Sequence, residues 1–171
     1  MGEYSIISAV YELSHYAPLV VLVATILDIL IFTGYIFYGF AMLSSILVLH
    51  TAGMISTEAL FISAYFGTLL GNTGNYLIGW FLGNTTYVQK KLSHQRVVTV
   101  KRYLSNHGLF VFMVTGRCIT FTRPMYALLL GSMNISPRRF FLYETIIAFV
   151  WVSFWLLVII EGEALYVRFF A

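Results

Sequence analysis

The stretch that decides the fold is residues 109–136, LFVFMVTGRCITFTRPMYALLLGSMNIS. It is fit for hydrocarbon except at Arg117 and Arg123, with Thr120 and Thr122 between them. An arginine at the centre of a bilayer costs roughly 2.5–3.5 kcal/mol on insertion scales, so a pair in one apolar run needs a structural reason. Basic pairs flank the run, Lys101–Arg102 before it and Arg138–Arg139 after it. A plain span would put those pairs on opposite sides of the membrane, whereas a re-entrant hairpin keeps both on the positive, cytoplasmic side. Gly116, Thr120 and Pro124 supply the backbone breaks a hairpin needs. Irregular backbone at membrane depth is tolerated where it is buried in protein or lines a watery cavity. The expectation is a hairpin with the arginines near its tip; two tilted helices crossing the membrane are the alternative.

Composition sets the frame for that reading. Of 171 residues, 60% are hydrophobic and only 10% are charged, and the mean hydropathy is +0.85. A water-soluble domain of this size needs more charge to cover its surface. The chain is therefore read as one integral membrane domain over 1–171, with few spans, because each transmembrane helix takes about 20 apolar residues. The start, MGEYSIISAVYELSHYAPLVV, has no basic n-region and contains Glu3 and Glu12, so it does not read as a cleaved secretory signal.

Working outward, residues 140–160, FFLYETIIAFVWVSFWLLVII, read as an aromatic-rich final span. Upstream lies NTTYVQKKLSHQRVVTVKRYLSNHG (84–108), a basic amphipathic linker expected to lie at the cytoplasmic interface and to stop near Asn106 and Gly108. Before it, residues 58–83 form an apolar stretch with glycines spaced four apart, Gly67/Gly71 and Gly79/Gly83. That small-xxx-small pattern lets membrane helices approach closely, and packing is the expected role of these glycines. From Ala17 to Leu49 the chain is nearly continuous apolar sequence, about 50 Å if helical, which is too long for one straight span. A break near Gly34 is expected, in DILIFTG, and HTAGMIST (50–57) reads as a turn. A broken segment followed by a span thus occurs in a first half, about 17–83, and again in a second half, 109–163. That order marks an inverted repeat with opposed hairpins. The fold class read from the sequence is an all-α polytopic membrane protein built this way.

Several functions drop out. The basic residues lie beside membrane segments rather than on a soluble face, which argues against nucleic acid. Cys118 is the single cysteine, and His15, His50, His94 and His107 fall in separate segments. No metal triad, cofactor motif or Ser/His/Asp pattern is legible. A lipid-phosphate phosphatase, the enzymatic rival, needs a histidine in a Ser-Gly context that the chain lacks.

At this point the sequence resembles the DedA family, also described by its VTT domain. The strongest match is HGLFVFMVTGRCITFTRPMYALLLGSMNISPRRFFLYETIIAFVW. It supplies His107–Gly108, Arg117, Arg123, Gly131, Pro137, Arg138, Arg139, Phe140 and Trp151 in the family's order. GTLLGNTGNYLIGWFLG (67–83) resembles the family's glycine-rich helix, with Asn72 where the family usually has Asp and Trp80 where it has Arg. Thr120 replaces a proline, and the family's acidic hairpin motif is not legible in LIFTGYIFYGF. The resemblance implies two opposed re-entrant hairpins in a bacterial or archaeal cytoplasmic membrane. It also implies a role in moving phospholipids or polyprenyl phosphates between leaflets, in some cases coupled to protons.

The residues support a matching expectation. Guanidinium forks fit phosphate oxygens bidentately, so Arg117 and Arg123, aided by Thr120 and Thr122, are expected to bind a lipid phosphate near mid-membrane. The other reading pairs them with Asp28, Glu58 or Glu144 to hold the fold. Asp28, in an apolar run, is a candidate for proton exchange, while Glu144 is expected to pair with Arg138–Arg139. Gly34, Gly71, Asn72, Gly79, Gly83, Gly116, Pro124 and Gly131 are assigned to hairpins and helix packing. A lipid flippase or scramblase, with a homo-oligomer among its expected states, is the leading reading; a non-transporting assembly partner is the alternative.

Overall fold

The structure is a computed structural model that describes the backbone of residues 2–30, 32–33, 46, 48–50, 52–83, 85, 95–119 and 125–170. Side chains are described for 14–30, 32–33, 46, 48–50, 52–83, 85, 99–119 and 125–161. In chain order the helices are α1 (Gly2–Ile29), α2 (Thr57–Gly83), α3 (Gln95–Cys118), α4 (Met125–Ser132) and α5 (Pro137–Phe170). Among the described residues there is no strand, so the architecture is all-α. The expected break at Gly34, and Thr120, Thr122, Arg123 and Pro124 of the expected hairpin tip, lie outside the described residues.

Helix ends are set by local chemistry. α1 stops at Ile29, within DILIFTG. The Thr33 hydroxyl donates to the Leu27 carbonyl, and Asn75 Nδ2 donates to the Ile29 carbonyl at 2.7 Å. These bonds satisfy acceptors that a helix terminus leaves open. The 50–57 turn closes through Gly53, at φ 65, whose N–H donates to His50 O at 2.9 Å while Met54 N–H reaches Leu49 O at 3.0 Å. Ser56 then caps α2 by accepting the Ala59 N–H at 3.3 Å. α3 carries non-helical angles at Gly108, φ 82 and ψ 166, which split it into two rods. A left-handed residue there suits glycine. The rod after Gly108 is about 15 Å long and α4 about 12 Å, each well short of a bilayer core of about 30 Å.

Glycines set the inter-helix distances. A Cβ on Gly79 would lie 2.0 Å from Leu128 O, and one on Gly131 would lie 2.0 Å from Tyr76 O, so α2 and α4 meet backbone to backbone. Gly83 faces Ser132 in the same seam. Further up, Gly67 abuts Thr25 and Gly71 abuts Ile29, which seats α1 on α2. Gly116 gives α3 room beside the Tyr126 side chain of α4.

Two apolar clusters fill the interior. One joins Ala17, Val21, Ile46, Ile55, Leu60, Ala64 and Val152. The other joins Tyr76, Phe112, Met113, Tyr126, Ala127, Leu130, Phe140 and Ile147. The outward faces of α2 and α5 are also apolar, with Phe66, Leu70, Phe81, Leu142, Phe149 and Leu157 exposed. A continuous apolar exterior of this kind suits lipid rather than water. Among the described residues, Pro137–Glu161 is the helix long and apolar enough to cross a membrane, and Ser14–Ile29 is a shorter apolar helix. α2, read from sequence as a span, has the length but is diluted by Asn72, Thr73, Gly74 and Asn75 at its centre.

Candidate functional site

Among the described residues the largest fully buried side chain is Arg117, in the last turn of α3. Its Nη1 donates to Glu144 Oε1 at 2.8 Å, and the two side chains are 1% and 0% exposed. Glu144 sits on α5 and accepts two further bonds, from Asn72 Nδ2 on α2 at 2.6 Å and from Tyr126 OH on α4 at 2.8 Å. One carboxylate therefore ties four helices together. The Arg117 guanidinium also lies over the Trp151 ring, 5.7 Å from its centroid, a cation–π placement that gains strength when desolvated.

The arrangement follows from helix geometry. Glu144, Ala148 and Trp151 share one face of α5 at i, i+4 and i+7. Asn72 faces inward because Gly71 and Gly79 bring α2 close to α1 and α4. Desolvating a cation and an anion together is tolerable when the geometry is good and the remaining lone pairs are bonded. Glu144 meets that condition with its three donors. Arg117 does not: among the described residues its Nε and Nη2 have no hydrogen-bond partner, and neither do Asn72 Oδ1 and Thr68 Oγ1, one turn apart on α2. Nε–H and the adjacent Nη2–H form one edge of the guanidinium, the fork that donates to two oxygens of a carboxylate or phosphate.

The structure brings some expected residues together and separates others. Arg117, Glu144 and Asn72 converge. Glu144 pairs with Arg117 rather than with Arg138–Arg139, which are exposed at the start of α5. Asp28 is buried, 4% exposed, in the last turn of α1 on the seam with α2. Glu58 is exposed in the first turn of α2, about 21 Å along the axis from Asn72 at 1.5 Å per residue. Tyr126 and Trp151 were not read from sequence as members of this centre. The two-turn spacing of Trp151 from Glu144 is the signal that points to it, whereas Tyr126 is placed by tertiary packing alone. No group of three or more metal-ligating side chains occurs among the described residues.

The family described as VTT domain matches residues 28–161, most of the chain. The chain is 25% identical over 138 residues to "Uncharacterized membrane protein BU139" of Buchnera aphidicola subsp. Acyrthosiphon pisum (strain APS). That alignment covers 80% of this chain and 54% of the relative, so the chain spans about half the length of the curated protein it matches. No solved structure matches it.

Proposed function

This chain is a membrane protein of the VTT-domain, or DedA, family, and we propose that it moves a lipid with an anionic phosphate head between the leaflets of its membrane. The observation that carries the reading is the open fork of Arg117: a buried guanidinium bonded on Nη1 only, with Nε and Nη2 unmet. Leaving buried donors unbonded costs about 1–3 kcal/mol or more each for charged groups. A phosphate that enters beside Arg117 supplies the missing acceptors and adds negative charge where Glu144 supplies only one.

In this account Arg117 holds the head through its Nε/Nη2 edge while Glu144, Asn72 and Tyr126 fix its orientation. Arg123, Thr120 and Thr122, assigned to the head site from the sequence, are proposed as its further ligands. The short rod after Gly108 and the short α4 are the proposed arms of a re-entrant hairpin. Asp28, a carboxylate at the negative end of the α1 dipole, gains nothing from helix electrostatics, and proton exchange during transport is its proposed role.

A second reading has its own observation. Glu144 is already saturated by Arg117, Asn72 and Tyr126, which suits a purely structural centre in a non-transporting assembly partner. Reconstitution separates the two. Purified protein in phosphatidylcholine vesicles is given fluorescent phosphatidylglycerol or phosphatidylcholine, and dithionite quenching reports leaflet exchange. Faster exchange of the anionic lipid supports transport. Exchange no faster than in protein-free vesicles for either lipid rejects it.

A further inference from the structure

Three helical threonines turn their hydroxyls back on their own backbone. Thr25 donates to Val21 O at 2.7 Å, Thr115 to Val111 O at 2.9 Å and Thr145 to Phe141 O at 2.8 Å. The carbonyl four residues earlier is the acceptor a helical threonine always has within reach. Thr68 is as fully buried as Thr25 and makes no such bond: among the described residues its Oγ1 has no partner. Register shows what it faces. Phe61 and Tyr65 of α2 meet Phe149 of α5, Asn72 meets Glu144, and Tyr76 stacks on Phe140. The two helices therefore run antiparallel, and Thr68, one turn before Asn72, lies level with Ala148. Between Glu144 and Trp151 that face of α5 carries only this small, fully buried alanine. The Arg117 guanidinium spans the same level, with Nη1 on Glu144 Oε1 and Cζ 5.7 Å from the Trp151 centroid. Asn72 Nδ2 bonds that same oxygen, so its amide lies beside the guanidinium. Thr68 Oγ1, Asn72 Oδ1 and Arg117 Nη2, each buried and unbonded among the described residues, thus gather where α2, α3 and α5 meet over Ala148.

We propose that one water molecule is bound at this junction, accepting from Arg117 Nη2 and the Thr68 hydroxyl and donating to Asn72 Oδ1. About three hydrogen bonds are usual for a buried water. The mixture of groups selects the ligand. An anion satisfies the two donors but meets the Asn72 carbonyl oxygen, and a cation meets the charge of Arg117; water both donates and accepts. Nη2 carries two N–H groups, so one stays with Nε for the edge assigned to a lipid head. The water site therefore stands whether or not the chain moves lipid. It ties α2 to the Arg117–Glu144 pair by a second route beside the Asn72–Glu144 bond.

The test is a double-mutant cycle read by thermal unfolding of the full chain in mild detergent. Thr68→Val keeps the shape of the side chain and removes the hydroxyl. Without the water, losing an unbonded buried hydroxyl raises the melting temperature. With it, the expected result is a fall of about 2–6 °C. In the Arg117→Met/Glu144→Leu background, which has no guanidinium to hold the water, the same substitution should cause no fall. A rise or no change in the wild-type background, or an equal fall in both, overturns the proposal. A crystal structure of the wild-type chain in a lipidic mesophase, at a resolution that shows ordered waters, supplies the second measurement. One water peak within hydrogen-bond distance of Thr68 Oγ1 and Arg117 Nη2, lost in Thr68→Val, is expected. No peak there, or an anomalous signal at that position after a bromide soak, overturns it.

Discussion

Replacing Glu144 by alanine removes the one acceptor that three buried donors share. Arg117 is left as an uncompensated cation at 1% side-chain exposure, and Asn72 Nδ2 and Tyr126 OH lose the bond each makes to Glu144. Breaking one half of a buried pair costs about 3–5 kcal/mol. For a chain of 150–250 residues, each kcal/mol shifts the melting temperature by about 2–4 °C, so Glu144→Ala should melt roughly 6–20 °C below wild type. Thermal unfolding in mild detergent, followed by tryptophan emission and loss of the monodisperse peak, reads this directly. The double variant Arg117→Met/Glu144→Leu supplies the control. Apolar residues of similar volume remove both buried charges but take the shared acceptor from Asn72 Nδ2 and Tyr126 OH, so the double variant should melt above Glu144→Ala and at or below wild type. A Glu144→Ala protein that melts within about 2 °C of wild type would refute the reasoning, since it would mean that Arg117 reaches water.

Three further outcomes follow from the geometry. Tyr126→Phe removes one donor to the Glu144 carboxylate and should cost about 1.5–3 kcal/mol, measured by the same melting assay. Gly79→Ala and Gly131→Ala drive a methyl group into a carbonyl oxygen at 2.0 Å, while Gly74→Ala meets only the Leu30 Cδ2 methyl at 3.2 Å; the first two should lose at least about 1–3 kcal/mol and run as aggregates on size exclusion, and the third should run as wild type. Asn72→Asp replaces a donor 2.6 Å from Glu144 by a second carboxylate, and should destabilise the protein by about 1–3 kcal/mol unless combined with Glu144→Gln, which the melting curves of the single and double variants will separate.

Much of this organisation is legible in the sequence because it depends on local rules. Four-residue glycine spacing marks the faces of α2 that meet α1 and α4. Gly53 and Ser56 mark the turn and cap before α2, and Gly108 marks the break in α3. Arg117 stands out because an arginine in an apolar run has to be accounted for. The partner of Arg117 is less legible. Glu144 follows Arg138 and Arg139 closely in sequence, yet separations of six and five residues do not place side chains on one helix face as three or four do. Its true partner comes from another helix, which one sequence does not specify. The residue that ends α1 is set the same way: Asn75, from α2, donates to the Ile29 carbonyl.

The central claim is that Arg117 lies buried to hold a lipid head, not only to hold four helices together. Lipid exchange by Arg117→Met/Glu144→Leu tests it most directly, because that variant removes the guanidinium while keeping the packing. The account predicts a monodisperse protein, more stable than Glu144→Ala, that exchanges fluorescent phosphatidylglycerol no faster than protein-free vesicles. Exchange at the wild-type rate by that folded variant would contradict it.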